Sequence, residues 1–420
     1  MIKREIYEAL NAHLSQKEIS LLAGPRQAGK TTLMRLLQDL LKKQGRKTMF
    51  LNLDSDSDHP HFSSQEALTR RIDLEFGAQP GFVFIDEIQR KENAGIFLKG
   101  IYDQNMPHKL IVSGSGSLEL KEKIHESLAG RKRIFEVGTL SFREFVNYKT
   151  GYRYERDLSR FFAVDGTAGR HWLNEYLCFG GYPRVVLEEE AREKKLLVDE
   201  LLSSYLERDI AYLLKVEKTQ AFSHMFKVLA DQTGKMVNHS ELSSTLALSL
   251  PTVKRYLMYA QKTFMLQFVM PYFKNPRTEI TKSPVVYFHD LGLRNFALGL
   301  WGDQVLNVRG GFLFQNFIFL SLKEILKARG GDIHFWRTKD KAEVDFVLET
   351  GGKLIAVEVK FSDLKKPDIT SGLRNFIRKY RPHEAWVVNL SLNHEVKVGN
   401  IPVKILPYHH ISCPSDEGFL

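Results

Sequence analysis

The sequence is poor in cysteine: only Cys178 and Cys413 occur in 420 residues. They stand far apart, without histidine or cysteine neighbours at metal-ligand spacing, so neither a disulfide framework nor a zinc motif is indicated. A reducing interior is their natural setting. No stretch approaches the roughly 18 uninterrupted apolar residues of a membrane span. The opening "MIKREIYEALNAHL" alternates charged and apolar residues at helical spacing and lacks the apolar core of a secretory leader. A cytoplasmic protein with no membrane partner is expected. No serine–histidine or cysteine–histidine arrangement offers covalent nucleophilic chemistry.

Hydrophobic residues make up 43% of the chain and charged residues 26%, the balance of a folded globular protein. The length exceeds one ordinary core at roughly 100–200 residues per domain. Lysine and arginine outnumber aspartate and glutamate by 60 to 50, so polyanions, nucleic acid among them, should be attracted.

"ISLLAGPRQAGKTTLMRLLQDLL", from Ile19 to Leu41, reads as a buried strand, a glycine-bounded loop and an amphipathic helix. Gly24 to Thr31 match G-x-x-x-x-G-K-[ST] without a mismatch. The spacing has a chemical reason. Glycines let backbone N–H groups curl round phosphates, the helix N-terminus adds its positive end, Lys30 reaches the β/γ oxygens and Thr31 binds Mg²⁺. Gly24, Pro25, Arg26, Gln27, Ala28, Gly29, Lys30, Thr31 and Thr32 are thus the candidate nucleotide cradle, with ATP and Mg²⁺ as cofactors.

"GFVFIDEIQR", residues 81 to 90, is an apolar strand ending in two acids. Asp86 is expected to hold Mg²⁺ through water, and Glu87 to activate the attacking water. "KLIVSGSGSLEL" follows, a strand leading into Ser113, Ser115 and Ser117. In a parallel sheet the carboxyl ends of strands open toward the ligand, so Ser113 or Ser115 is a candidate γ-phosphate sensor, and a serine-rich turn is the alternative.

The phosphate loop "GPRQAGKTT", the "FIDEIQ" strand, "SGSGS", "SLAGR" at 127 to 131 and "SFREF" at 141 to 145 together resemble the prokaryotic AAA-type ATPases related to the origin-recognition and archaeal ATPase group. The resemblance continues through "GGYP" at 180 to 183, "YLERDI" at 205 to 210 and "YFHDLGL" at 287 to 293. In that family an ATPase core is joined to a C-terminal domain of unknown function. The resemblance implies an oligomeric ATPase in which an arginine of one subunit completes its neighbour's site. Arg131 is the candidate finger, Arg133 a weaker one, and a solvated cation the alternative for both.

Residues 141–215 carry helical spacing, as in "LLVDELLSSYLERDIAYLL", and look like a lid beside the nucleotide. Arg208 is a candidate phosphate contact there, with a helix-surface ion pair near Glu207 or Asp209 as the alternative. Residues 216–305 contain "NHSELSSTLALSLPTVKRYLMYAQKT", in which Ser240 caps a first helix and Val253 and Leu257 face inward from a second. The pattern is a helix-turn-helix followed by strands for a wing. Thr252, Lys254, Arg255 and Lys262 then stand where phosphates or base edges meet such a helix. Winged helices also pack against proteins, so both uses stay open.

In residues 306–411 an apolar helix, "GGFLFQNFIFLSLKEILKARGG", precedes strands joined by the turn "ETGGK". Strand alternation puts Glu358 and Lys360 on one face. With Asp345 beside them they resemble the D…E-x-K signature of the restriction-endonuclease-like fold, where Asp345 and Glu358 would hold Mg²⁺ and Lys360 would position or deprotonate water. Arg374, Arg378 and Lys379 on the next helix are candidate backbone contacts. The family often carries glutamate where this chain has Gln315, and an amide binds Mg²⁺ more weakly than a carboxylate. Glu343, on the strand face of Asp345, is the candidate substitute.

The expected fold is therefore α/β: a P-loop AAA-type ATPase core at 1–140, a helical lid at 141–215, a winged-helix domain at 216–305 and a restriction-endonuclease-like domain at 306–411. The expected function is Mg²⁺-dependent ATP hydrolysis coupled to nucleic-acid binding, DNA first, in a homo-oligomer. The alternative is a signalling or assembly ATPase whose C-terminal modules bind proteins and cut nothing.

Overall fold

The computed structural model describes residues 2–77, 79–115, 127–213, 215–216, 218–273, 283–340 and 342–414. Ser117 lies outside them. The chain forms two compact units, each gathered from separate stretches: residues 1–139, 200–219 and 257–265 in the first, and 140–199, 220–256 and 266–420 in the second.

In the first unit, β1 (Ile19–Gly24), β2 (Lys47–Asn52), β3 (Gly81–Asp86), β4 (Lys109–Ser115) and β5 (Lys132–Glu136) form a five-stranded sheet in the order β2-β3-β4-β1-β5. Every pairing is parallel. Parallel pairs need crossovers, and the helices Lys30–Lys43, Gln65–Phe76 and Ala94–Asp103 supply three of them. Helices on both faces explain why β1 and β4 are buried at every position. Alternation along the strands divides the core into two layers. Leu21, Ile85 and Val112 join one, while Leu22, Phe84 and Ile111 join the other. Placing β4 between β1 and β3 brings the carboxyl end of the serine strand beside both the phosphate loop and the acidic pair.

Two glycines are required where β1 turns into its helix. A Cβ on Gly24 would stand 2.0 Å from the carbonyl oxygen of Val137. Gly29, the residue before the helix, has φ +98°, a conformation that only glycine adopts freely.

Residues 141–215 do not stay together. The unit boundary at 199/200 leaves their first helices in the second unit and gives Tyr205–Leu213, a π-helix, to the first. The reason is packing. Phe142, behind a Ser141–Glu144 capping box, meets Tyr176 at 5.4 Å and Phe317 at 5.2 Å in an aromatic core of the second unit. In the first unit, the Tyr205 hydroxyl pairs with Thr263 Oγ1 at 2.8 Å.

The second unit is built on an eight-stranded sheet: β6 (Leu266–Pro271), β7 (Val285–Phe288), β8 (Asp332–Arg337), β9 (Glu343–Thr350), β10 (Lys353–Val359), β11 (Glu384–Asn389), β12 (His394–Val398) and β13 (Ile401–Pro407). Their order is β12-β13-β11-β10-β9-β8-β6-β7. Gly351 and Gly352, both at positive φ, make the tight turn between β9 and β10. The helix Ser371–Tyr380 carries β10 over to its parallel neighbour β11. The helix Gln304–Arg329 begins before "GGFLF" and bends at Arg309, where φ is −140°. Part of it is long and apolar enough to cross a membrane, and most of that part is buried inside the protein, as a core helix is.

The helices His239–Leu246 and Leu250–Lys262 lie in the stretch expected to be a helix-turn-helix; in the second, Val253, Tyr256, Leu257 and Ala260 are buried and Lys254 and Arg255 exposed. The cap of the first is Asn238, whose Oδ1 accepts from the N–H groups of Ser240 and Glu241 at 3.0 and 3.3 Å, and not Ser240. The hairpin β6–β7 that follows is the edge of the large sheet, since β6 also pairs in parallel with β8. "GGYP" and "YFHDLGL" are two halves of one lock: Asp290 accepts from Gly181 N–H at 2.9 Å and from Leu293 N–H at 3.0 Å.

Candidate nucleotide site and a second acidic site

Lys30 donates from Nζ to the carbonyls of Pro25 at 2.7 Å and Gly24 at 3.1 Å, and is buried. A lysine curled onto its own loop is set where phosphate oxygens would replace those carbonyls. Thr31 Oγ1 donates to Asp86 Oδ2 at 2.7 Å, and Ser113 Oγ bonds the other oxygen of Asp86. Hydroxyl and carboxylate oxygens are the hard donors Mg²⁺ prefers, so the set fits that ion: Thr31 and Asp86 would hold it, and it would supply positive charge against the phosphates.

Glu87 stands just past β3 in a left-handed conformation, φ 57° and ψ 42°. Its N–H donates to Ser113 Oγ at 3.2 Å, and its carboxylate accepts from Gln89 Nε2. For a residue with a side chain this backbone costs roughly 1–3 kcal/mol, a strain that concentrates at functional sites. Burial pushes the Glu87 carboxyl above its ordinary range, against the pull of Lys30. Burial likewise holds Lys30 below the ordinary lysine range, opposed by the charges of Glu87, Asp209 and Asp86. A carboxylate raised in this way is closer to the affinity for a proton that a general base needs. Ser115 is buried at the end of β4, and its N–H donates to Gln89 Oε1 at 3.1 Å.

Three further residues join this site. Arg26 Nε donates to Asp209 Oδ2 at 2.7 Å, across 183 residues of chain. Arg4 braces the loop, donating to the Ala28 carbonyl at 2.8 Å and to Gly138 at 2.8 Å. Sequence reasoning chose Arg208 in "YLERDI", yet Arg208 is exposed and its neighbour Asp209 is buried. The signal was the motif itself; nothing in it distinguished the acid from the cation. Arg4 left no sequence signal.

Arg131 pairs through Nε with Asp103 Oδ1 at 2.7 Å. Its carbonyl accepts from Ile19 N–H at 2.9 Å, so it lies at the amino end of β1, opposite the phosphate loop.

The second acidic site lies in the other unit. The pairing Trp336↔Val344 and His334↔Val347 gives β9 one extra residue against β8, a bulge at Asp345–Phe346. Bulges re-aim side chains. Asp345 Oδ1 accepts from Gln315 Nε2 at 2.7 Å and its Oδ2 from Val359 N–H at 2.7 Å. Glu358 accepts from Thr370 Oγ1 at 3.1 Å, and Lys360 pairs with Asp368. Burial, then the charge of Glu358, pushes Asp345 up to about 8, and burial pushes Glu358 up to about 7. Glu343, the candidate substitute acid, has a side chain 61% exposed and lies 3.7 Å from Arg337, its partner across the β8–β9 ladder. Among the described residues no group of three or more His, Cys, Asp or Glu side chains is arranged to hold a metal ion.

The parallel sheet and phosphate loop of the first unit are similar to an AAA domain. Residues 16–146 match the AAA domain family, residues 170–304 a domain of unknown function (DUF8612) and residues 310–410 a domain of unknown function (DUF4143). An uncharacterized protein of Mycobacterium tuberculosis is 27% identical over 378 residues, covering 89% of this chain and 76% of its own. One of Haemophilus influenzae is 24% identical over 392 residues, covering 91% and 92%. Among solved structures, AMPPCP-bound DnaA from Aquifex aeolicus aligns at 16% identity and TM-score 0.27, over 62% of this chain and 90% of its own. A katanin structure described as a basis for self-assembly aligns at 15% and 0.26, over 36% and 57%.

Proposed function

We propose that this protein binds and hydrolyses ATP with Mg²⁺, in a cytoplasmic homo-oligomer, and couples nucleotide state to nucleic-acid binding. The observation that carries the reading is the convergence of Lys30, Thr31, Asp86, Glu87 and Ser113 at the carboxyl ends of β1, β3 and β4. In this reading the loop N–H groups and Lys30 bind the phosphates. Thr31 and Asp86 hold the ion, Ser113 fixes Asp86, and Glu87 takes the proton of the attacking water. Lys254 and Arg255, exposed on the second helix of the pair, are the proposed DNA contacts.

Turnover of ATP by the full chain tests it, with Lys30→Ala to remove binding and Glu87→Gln to remove hydrolysis while retaining bound ATP. Background turnover equal in all three proteins would overturn the reading. Nucleic-acid coupling is tested by duplex DNA binding of wild type and a Lys254→Ala/Arg255→Ala variant across a salt series. No binding at low salt removes it.

A second reading is favoured by Gln315: a nuclease-like domain with an amide on Asp345, and no third acid, serves better as a binding module than as a metal-dependent nuclease. Incubation of DNA and RNA with Mn²⁺, against an Asp345→Ala control, separates the two.

A further inference from the structure

Resting on the ATP-hydrolysing role above, we infer that Arg26 and Asp209 act as one device, in which Asp209 aims the Arg26 guanidinium at the terminal phosphate of a nucleoside triphosphate. The phosphate loop would then carry its own arginine for that phosphate, in addition to Lys30. Asp209 is its positioning residue.

Four observations lead there. Asp209 takes only Nε of the guanidinium, at 2.7 Å, and both side chains are largely buried, 14% and 5% exposed. The Nη2 of Arg26 is buried with no acceptor among the described residues. A buried donor left unmade costs free energy that an arriving anion relieves. Arg26 is also close enough to lower the proton affinity of both Lys30 and Glu87. Its charge therefore acts on both the lysine proposed to bind phosphate and the acid proposed to activate water. Finally, Asp209 is carried by a π-helix, Tyr205–Leu213, a rare form found mostly at functional sites. Tyr205, fixed by its bond to Thr263, holds that helix in the first unit.

The charges fit the assignment. Lys30 and Arg26 act against the charges of Asp86, Glu87 and Asp209, and Asp209 Oδ1, like Arg26 Nη2, is buried with no hydrogen-bond partner among the described residues. An Arg–carboxylate pair is geometrically fixed, and an arginine held through Nε keeps its outer nitrogens for a phosphate. A diphosphate ends short of that position. The device should therefore discriminate ATP from ADP, which a merely structural ion pair would not.

The test is titration of a fluorescent ATP analogue and a fluorescent ADP into wild type, Arg26→Ala, Asp209→Asn, Asp209→Glu and the Arg26→Ala/Asp209→Asn double variant, with turnover measured on each. The ratio of ATP to ADP affinity, taken within one preparation, is unaffected by any fraction that fails to fold. Expected is a roughly ten- to hundredfold loss of that ratio and of kcat for Arg26→Ala, and a smaller loss for Asp209→Asn. Asp209→Glu should recover part of it, and the double variant should be no worse than Arg26→Ala. An unchanged ratio in Arg26→Ala or Asp209→Asn, or equal losses for both nucleotides, overturns the inference. Failure of wild type to bind either nucleotide overturns the ATPase reading itself, a distinguishable result.

Discussion

Gln315 donates its amide to Asp345 Oδ1 at 2.7 Å, so the long helix meets the bulged strand through a neutral group. The amide satisfies one oxygen of a partly buried acid while adding no charge. Gln315→Glu would place a second carboxylate there. Without metal, the variant should lose about 1–3 kcal/mol, as the amide's bond to Asp345 is lost and a second carboxyl is taken out of water. With millimolar Mn²⁺ it should recover and rise above its metal-free Tm by more than wild type does. Thermal melts with and without Mn²⁺ measure this. Equal metal shifts for both proteins would mean that the acid count is not what limits metal binding.

Asp345 also makes stability depend on pH. Burial pushes it up to about 8 in the folded protein, well above the ordinary aspartate range. A folded carboxyl with raised pKa binds its proton more tightly than the unfolded one, so its contribution is fully present below about pH 4 and is lost as pH rises through 8. Asp345→Asn has no proton to lose. The difference in Tm, variant minus wild type, should therefore increase between pH 4 and pH 9. A difference independent of pH would show that Asp345 is ionised throughout.

The lock at Asp290 predicts a purely structural loss. Asp290→Ala leaves the N–H groups of Gly181 and Leu293 without the carboxylate that now accepts from both. The cost should be about 2–4 kcal/mol by denaturant unfolding of the second unit. Asp290→Asn, which keeps one acceptor oxygen, should lose less.

These sites differ in how far the sequence disclosed them. The phosphate loop was legible because its chemistry is local: Gly24, Gly29, Lys30 and Thr31 lie within eight consecutive positions. The β9–β10 hairpin was legible for the same reason, two glycines at positive φ between apolar strands. What could not be read were relationships set by packing between distant segments. Asp209 reaches Arg26 across 183 residues. The bulge that re-aims Asp345 exists only in the pairing of β9 with β8, and the β6–β7 hairpin joins the large sheet through β6 with β8. The "SFREF" helix left the ATPase core because its phenylalanine found aromatic partners in residues as distant as Phe317.

Arg131 shows how topology converts a sequence candidate into a decisive experiment. It lies beside Ile19 at the amino end of β1, while the phosphate loop follows Gly24 at the carboxyl end. Five strand steps of about 3.3 Å separate the two ends. Arg131 therefore cannot serve the phosphates of its own chain through this strand, and if it acts in catalysis it acts on another copy. The prediction is complementation. Arg131→Ala keeps an intact site but offers no finger, and Glu87→Gln offers the finger but cannot hydrolyse. Each should be slow alone, and an equimolar mixture should turn over ATP faster than the sum of the two. Wild-type specific activity should rise with protein concentration, while that of Arg131→Ala should stay flat. A mixture no faster than its parts, or an Arg131→Ala protein as fast as wild type, would leave Arg131 with only its ion pair to Asp103, worth roughly 0–1 kcal/mol at such exposure.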